Sequence, residues 1–142
     1  MKVLGTGHVV ELAELKERLK GVLLREGNVI YAVLFGSAAR GEMRGDSDVD
    51  LAVKFRIKPD LIELGRLSAE LESEVGFPVH IVDLDDAPPP LRYEIFKEGV
   101  VVMVRDETLL AEDKARAIME FLDFKYHYDA MAKGMLEAIK RA

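Results

Sequence analysis

Seven consecutive apolar residues, Val29 to Phe35 (Val-Ile-Tyr-Ala-Val-Leu-Phe), leave neither side of a strand a polar position to turn toward water. A run this short and this rich in β-branched and aromatic residues is a strand buried on both faces. Whatever sheet contains it therefore needs helices on both sides. The flanking pattern supplies them. Leu12, Leu15, Leu19, Val22 and Leu23 recur at helical spacing, predicting a helix from about 10 to 26 that ends at Gly27-Asn28. Asp48 to Phe55 alternates, with Val49, Leu51 and Val53 on one side and Asp48, Asp50 and Ala52 on the other. Pro59 opens a second helix through Leu61, Leu64, Leu67 and Leu71 to Gly76. Pro78 to Leu84 reads as a third strand, closed by Asp85-Asp86-Ala87 and three prolines. A short helix over Leu91–Glu98 stops at Gly99, Val100–Val104 reads as a fourth strand, and the chain is helical from about Thr108, with a kink expected at Gly134. The order implies an α/β (α+β) fold, a small mixed β-sheet flanked by helices with a long C-terminal helix. At 142 residues it is expected to form one domain, with its core over about 28–104 and a helical segment over about 107–142.

Composition narrows the class of function. With 20 Lys and Arg against 26 Asp and Glu, the net charge of −6 argues against a general phosphate-backbone binder, so no direct nucleic-acid binding is expected. There is no cysteine, hence no disulfide, thiolate metal site or thiol nucleophile. No apolar run approaches the roughly 20 residues that span a bilayer, and the first residues lack the pattern of a secretory signal. A cytoplasmic location without membrane contact is the expectation.

The chemistry is concentrated between Gly36 and Leu51. Asp48 and Asp50, at i and i+2 of a strand, point to one face with backbones roughly 6–7 Å apart, and Val49 and Leu51 anchor that strand in the core. Two carboxylates held side by side repel, and a hard divalent cation such as Mg²⁺ relieves the repulsion while accepting phosphate oxygens. Gly36-Ser37, just after the buried strand, allows close backbone approach and offers N–H groups and a hydroxyl to an anion, with Arg40 adding charge; Arg44 reads as structural. Asp83, on one face of the third strand with Val79 and Ile81, would join the other acids if that strand lies beside the carboxylate strand. Each piece alone has an ordinary reading as a turn, an edge acid or a surface ion pair. Their ordered combination, Ser37 preceding Asp48 by eleven positions, points to phosphoryl or nucleotidyl transfer. His8, His80 and His127 have no ligand-spaced companions in the sequence and read as structural or surface residues.

The stretch Gly36-Ser37-x-x-Arg40-Gly41 with Ser47-Asp48-x-Asp50-Leu51 resembles the Gly-Ser-x(10)-Asp-x-Asp signature of the DNA polymerase β-like nucleotidyltransferases in their minimal form. Val82-Asp83-Leu84, Ala87-Pro88 and Leu91-Arg92-Tyr93-x-Ile95 are similar to the MntA-type antitoxins paired with HEPN toxins. The resemblance implies that Asp48, Asp50 and Asp83 are the catalytic residues and hold Mg²⁺, two ions in all. It implies that Asp83 helps deprotonate the acceptor hydroxyl, and that Gly36, Ser37 and Arg40 bind the nucleotide, with ATP as donor. The implied function is AMP transfer from ATP to a tyrosine hydroxyl of a cognate HEPN ribonuclease toxin, which it silences in a hetero-oligomer. The alternatives are a small-molecule nucleotidyltransferase of the aminoglycoside-modifying type, or an antitoxin that masks its toxin without catalysis. The core leaves chiefly the first and last helices, so the acceptor is expected on another macromolecule.

The last helix offers a surface for one. Phe121, Phe124, Tyr128, Met131, Met135 and Ala138 form a heptad-like seam that reads equally as partner surface or as core. A second stripe, Ile118, Met119 and Leu122, is expected to pack onto the sheet.

Overall fold

The computed structural model describes residues 11–42 and 48–141. The elements run α1 (Leu12–Leu23), β1 (Val29–Phe35), β2 (Val49–Phe55), α2 (Leu61–Val75), β3 (Val79–Asp83), a 3₁₀ turn (Leu84–Asp86), α3 (Pro89–Glu98), β4 (Val100–Val104) and α4 (Glu107–Arg141). The sheet order is β3-β2-β1-β4; β1 is antiparallel to both β2 and β4, and β2 is parallel to β3. This is the mixed sheet the sequence predicts, and every residue of β1 is buried.

The two faces carry separate cores. On one, Leu15, Leu19, Val22 and Leu23 of α1 and Leu67, Leu71 and Val75 of α2 pack onto Val49, Leu51 and Val53. On the other, Tyr31, Val33, Phe35 and Ala52 meet Ile95 and Phe96 of α3 and Ala117 of α4. The alternation read from β2 thus holds, and it sends Asp50 to the α3/α4 side.

Local chemistry sets the boundaries. The Asp60 carboxylate accepts the Glu63 N–H at 2.8 Å and starts α2, and Gly76 at φ 80° closes it. Pro88, Pro89 and Pro90 occupy the N-cap and first turn of α3, where a missing N–H costs nothing, so this helix begins two residues earlier than its apolar pattern suggests. Asn28 donates to the Ile57 carbonyl (2.8 Å) and accepts the Ile57 N–H (2.9 Å), clamping the end of the β1–β2 ladder. Gly99 is held where α3 crosses β1: a Cβ there would lie 2.2 Å from the Ile95 carbonyl oxygen and 2.3 Å from Val33 Cγ1.

Helix α4 departs from expectation in two ways. It runs unbroken through Gly134, and the stripe Ile118, Met119 and Leu122 does not pack on the sheet: these residues are 38%, 70% and 59% exposed. The sheet is covered instead by Leu109, Leu110, Asp113 and Ala117, a turn or two earlier. Phe121 makes the last packing contact, stacked on Tyr93 of α3 with ring centroids 4.1 Å apart. From Leu122 to Arg141 the helix is exposed all round. At 35 residues it is about 50 Å long, longer than the sheet it covers. Among the described residues no helix is long and apolar enough to cross a membrane.

One polar link ties α4 to the sheet. The fully buried Tyr31 donates its hydroxyl proton to Asp113 Oδ2 at 2.7 Å, and Arg116 sits 3.1 Å from Asp113 Oδ1. Burial first, and the hydrogen bond to Asp113 second, push the Tyr31 phenol well above its ordinary range. Because the folded-state value is the higher one, this link stabilises the protein fully below the unfolded value of about 10 and is lost as pH rises beyond it. Tyr31→Phe leaves a buried carboxylate short of a donor and is expected to cost about 2 kcal/mol at neutral pH. Urea unfolding of the two proteins should show that gap at pH 7 and a smaller one at pH 11.

Candidate active site

The antiparallel register of β1 and β2 pairs Phe35 with Asp50, so the turn leaving β1 lies directly over the carboxylate strand. Gly36 makes that turn at φ 73°, a conformation side chains disfavour, and a Cβ built on it would stand 2.7 Å from Asp50 Oδ2. The glycine is therefore required twice, for its dihedral and for the space the carboxylate fills. Ser37 follows, half-buried, and its carbonyl accepts the N–H groups of Arg40 (3.2 Å) and Glu42 (2.9 Å), folding the segment into a compact loop. Arg40 is surface-exposed with Nε 3.3 Å from Glu42 Oε1, the ordinary ion pair that the sequence also allowed. Arg44, like His8, lies outside the described residues.

Asp50 is one-third exposed on the α3/α4 face of β2, and Asp48, exposed just before the strand, shares its parity. The structure thus brings together Gly36, Ser37 and the Asp48/Asp50 pair at one end of the sheet.

It does not bring Asp83 to them. Strand β3 is indeed the neighbour of β2, but the register pairs Val49 with Val79, Asp50 with His80 and Val53 with Asp83. Paired residues of parallel strands share a face, so Asp83 belongs to the Val49/Leu51/Val53 side, opposite Asp50. It is also three residues, or about 10 Å, farther along. There its Oδ1 accepts the Asp85 N–H at 3.1 Å, capping the 3₁₀ turn, and Oδ2 lies 3.8 Å from Lys58 Nζ. Asp83 caps that turn, and the three-acid cluster expected from sequence does not form: only Asp48 and Asp50 share a face.

The residue that does face Asp50 is His80, with Nδ1 3.5 Å from Asp50 Oδ1 and its side chain 70% exposed. Sequence spacing hides this relation because the two residues meet across a register, not within a motif. The available signal was position: His80 is the second residue of β3 as Asp50 is the second of β2.

The donor set fits a hard divalent ion. Among the described residues no three His, Cys, Asp or Glu side chains form a metal-holding cluster. Mg²⁺ does not require one, since it is commonly held by one or two carboxylates with water and substrate phosphates completing its shell. At the opposite end of this face a cavity of about 80 Å³ is lined by charges that satisfy one another, Lys54 with Asp85, Arg92 with Glu120 and Arg116 with Asp113.

A carboxylate pair on an internal strand, beneath a Gly-Ser turn at the end of the neighbouring strand, is an arrangement suited to nucleotidyl transfer. The chain matches the family "Polymerase beta, Nucleotidyltransferase" over residues 17–108, which span the whole sheet and this site, and it belongs to that family. It is 35% identical over 94 residues, 66% of its length, to the whole of a Methanocaldococcus jannaschii protein assigned as a protein adenylyltransferase. Its fold is similar to that of a chain in a toxin–antitoxin complex with AMP-PNP, at a TM-score of 0.73 and 20% identity, covering 85% of this chain and 98% of that one. The fold is also similar to that of a chain in the complex of a tri-AMPylated Shewanella oneidensis HEPN toxin with MNT antitoxin, at a TM-score of 0.70 and 18% identity over 89% and 99% of the two chains.

Proposed function

We propose that this nucleotidyltransferase is a Mg²⁺-dependent protein adenylyltransferase that transfers AMP from ATP to a tyrosine hydroxyl of a HEPN ribonuclease toxin, and so acts as its antitoxin. The observation that carries the reading is the Gly36–Asp50 contact, which leaves no side chain between the turn and the carboxylate. A triphosphate lying on the turn would present its oxygens to cations on the acids. Asp48 and Asp50 would hold the divalent ions, which when bound offset phosphate charge and ease ionisation of the acceptor hydroxyl. The Gly36-Ser37 turn would orient the β- and γ-phosphates by backbone N–H and hydroxyl donation. Catalysis would then be positioning and electrostatics, with attack on the α-phosphorus in line with the departing pyrophosphate.

The acceptor surface is the free half of α4. Phe124, Tyr128, Met131 and Met135 of the seam are 44%, 62%, 63% and 60% exposed, an aromatic and methionine-rich face of the kind favoured in interfaces. Phe124 and Tyr128 stack, with centroids 6.3 Å apart, beside a groove also lined by Pro89 and Met131. The similarity to toxin–antitoxin complexes supports a HEPN partner.

Co-expression with a candidate HEPN toxin, followed by intact mass spectrometry, tests the reading. Adenylate adducts should appear on the toxin with the wild type and not with Asp50→Asn. Equal protection by both proteins with no adduct would establish masking instead. Met131→Glu with Tyr128→Glu is expected to abolish co-purification with the toxin without changing the thermal transition of the domain, since neither side chain packs on it.

A further inference from the structure

The reading above assigns nothing to His80, the polar side chain that β3 places beside Asp50. We propose that His80 is a nitrogen ligand of the divalent cation held by Asp48 and Asp50, making a mixed carboxylate–imidazole site whose preference is shifted from Mg²⁺ toward Mn²⁺. The inference rests on the assignment of that carboxylate pair as the cation site.

Three observations carry it. The in-phase register of β2 and β3 puts Asp50 and His80 side by side on the same face, so no backbone movement is needed for both to reach one ion. Nδ1 of His80 stands 3.5 Å from Asp50 Oδ1. Adjacent ligands of an octahedral ion with bonds of about 2.1 Å are about 3 Å apart, so the pair already approximates one edge of a coordination shell. The third observation concerns which group can adjust. Asp50 is confined beneath Gly36, whereas the 70% exposed imidazole and the exposed Asp48 at the strand start are free to close on the ion. That freedom accounts for the lack of a preformed three-group cluster among the described residues.

The chemistry sets the direction of selectivity. All-oxygen sites suit Mg²⁺, while an imidazole donor favours first-row transition ions, of which Mn²⁺ also tolerates the two carboxylates. An exposed histidine–carboxylate contact by itself adds little stability, so the pair has no evident structural task.

Pulsed EPR on the protein with Mn²⁺ and inorganic tripolyphosphate, a phosphate chain without nitrogen, tests the proposal. The wild type should show coupling to one imidazole nitrogen. His80→Ala should lose that coupling and bind Mn²⁺ roughly tenfold more weakly, at least what loss of an outer-shell partner costs. His80→Asp should restore affinity without the nitrogen signal and return the preference toward Mg²⁺. A wild-type spectrum without nitrogen coupling, or coupling and affinity that persist in His80→Ala, would overturn it. Failure of the underlying assignment looks different: Mn²⁺ binding unaffected by Asp50→Asn places the ion elsewhere and removes both.

Discussion

Asp50→Asn is expected to reduce label transfer from α-³²P-ATP to the proposed HEPN partner by about 10³-fold or more while leaving the thermal transition close to that of the wild type. The size follows from the site's reliance on preorganised charge. Removing a single electrostatic contact to a developing transition state typically costs 10² to 10³ in rate, and here the lost charge also anchors the cation that meets the phosphates. The fold should survive because the Asp50 side chain is one-third exposed and, among the described residues, shares no buried ion pair. The amide also keeps the shape that fits under Gly36, where 2.7 Å separates Oδ2 from the missing Cβ position. Asp83→Asn supplies the internal contrast. With its carboxylate capping the 3₁₀ turn on the other face, it should retain transfer within a few-fold and lose a fraction of a kcal/mol of stability. Transfer by Asp50→Asn at the wild-type rate, or loss in Asp83→Asn as deep as in Asp50→Asn, would refute the two-carboxylate assignment.

The largest expected effect on stability belongs to Gly99→Ala. At φ −74° the backbone accepts alanine, so the penalty is one of space alone. The added methyl would sit 2.2 Å from the Ile95 carbonyl oxygen and 2.3 Å from Val33 Cγ1, and neither can yield cheaply. Ile95 is fully buried, its carbonyl accepts the Gly99 N–H at 2.9 Å, and Val33 lies in the central strand. Relief requires α3 to move away from β1 and loosen the packing of Ile95 and Phe96 on Tyr31 and Val33. Overpacking of this kind costs 1–3 kcal/mol, and contact with backbone puts Gly99→Ala at the upper end, about 3 kcal/mol. For a chain of this size the melting temperature should fall by roughly 10 °C, measurable by calorimetry. Gly134→Ala is the control: nothing lies within 4 Å of its Cβ position, so it should stabilise the exposed helix slightly.

His80 and Asp83 illustrate where sequence reading reaches and where it stops. Both lie on a strand whose bounds were legible, and both alternate predictably along it. Which of them meets Asp50 depends on the offset between β2 and β3, and a shift of one residue exchanges the faces. Nothing local to either strand encodes that offset; it is set where the Val49 N–H donates to the Pro78 carbonyl at 2.8 Å and the two strands begin level. The same distinction holds for α4. Its helicity is plain in the periodicity, but Leu109, Leu110 and Ala117 and the later seam are equally apolar, and only the length of the sheet decides which stripe is covered.

The amino-acid sequence alone thus determined the elements, the two-sided burial of β1, the shared face of Asp48 and Asp50 and the glycine turn. Each is a matter of period, backbone dihedral or nearest neighbours along the chain. Tertiary structure alone decided that His80 rather than Asp83 lies beside Asp50, that Asp83 caps a turn on the far face, and that half of α4 stands free. Those outcomes follow from the pairing of residues distant in the chain and from where the core ends, and neither is written in any single segment.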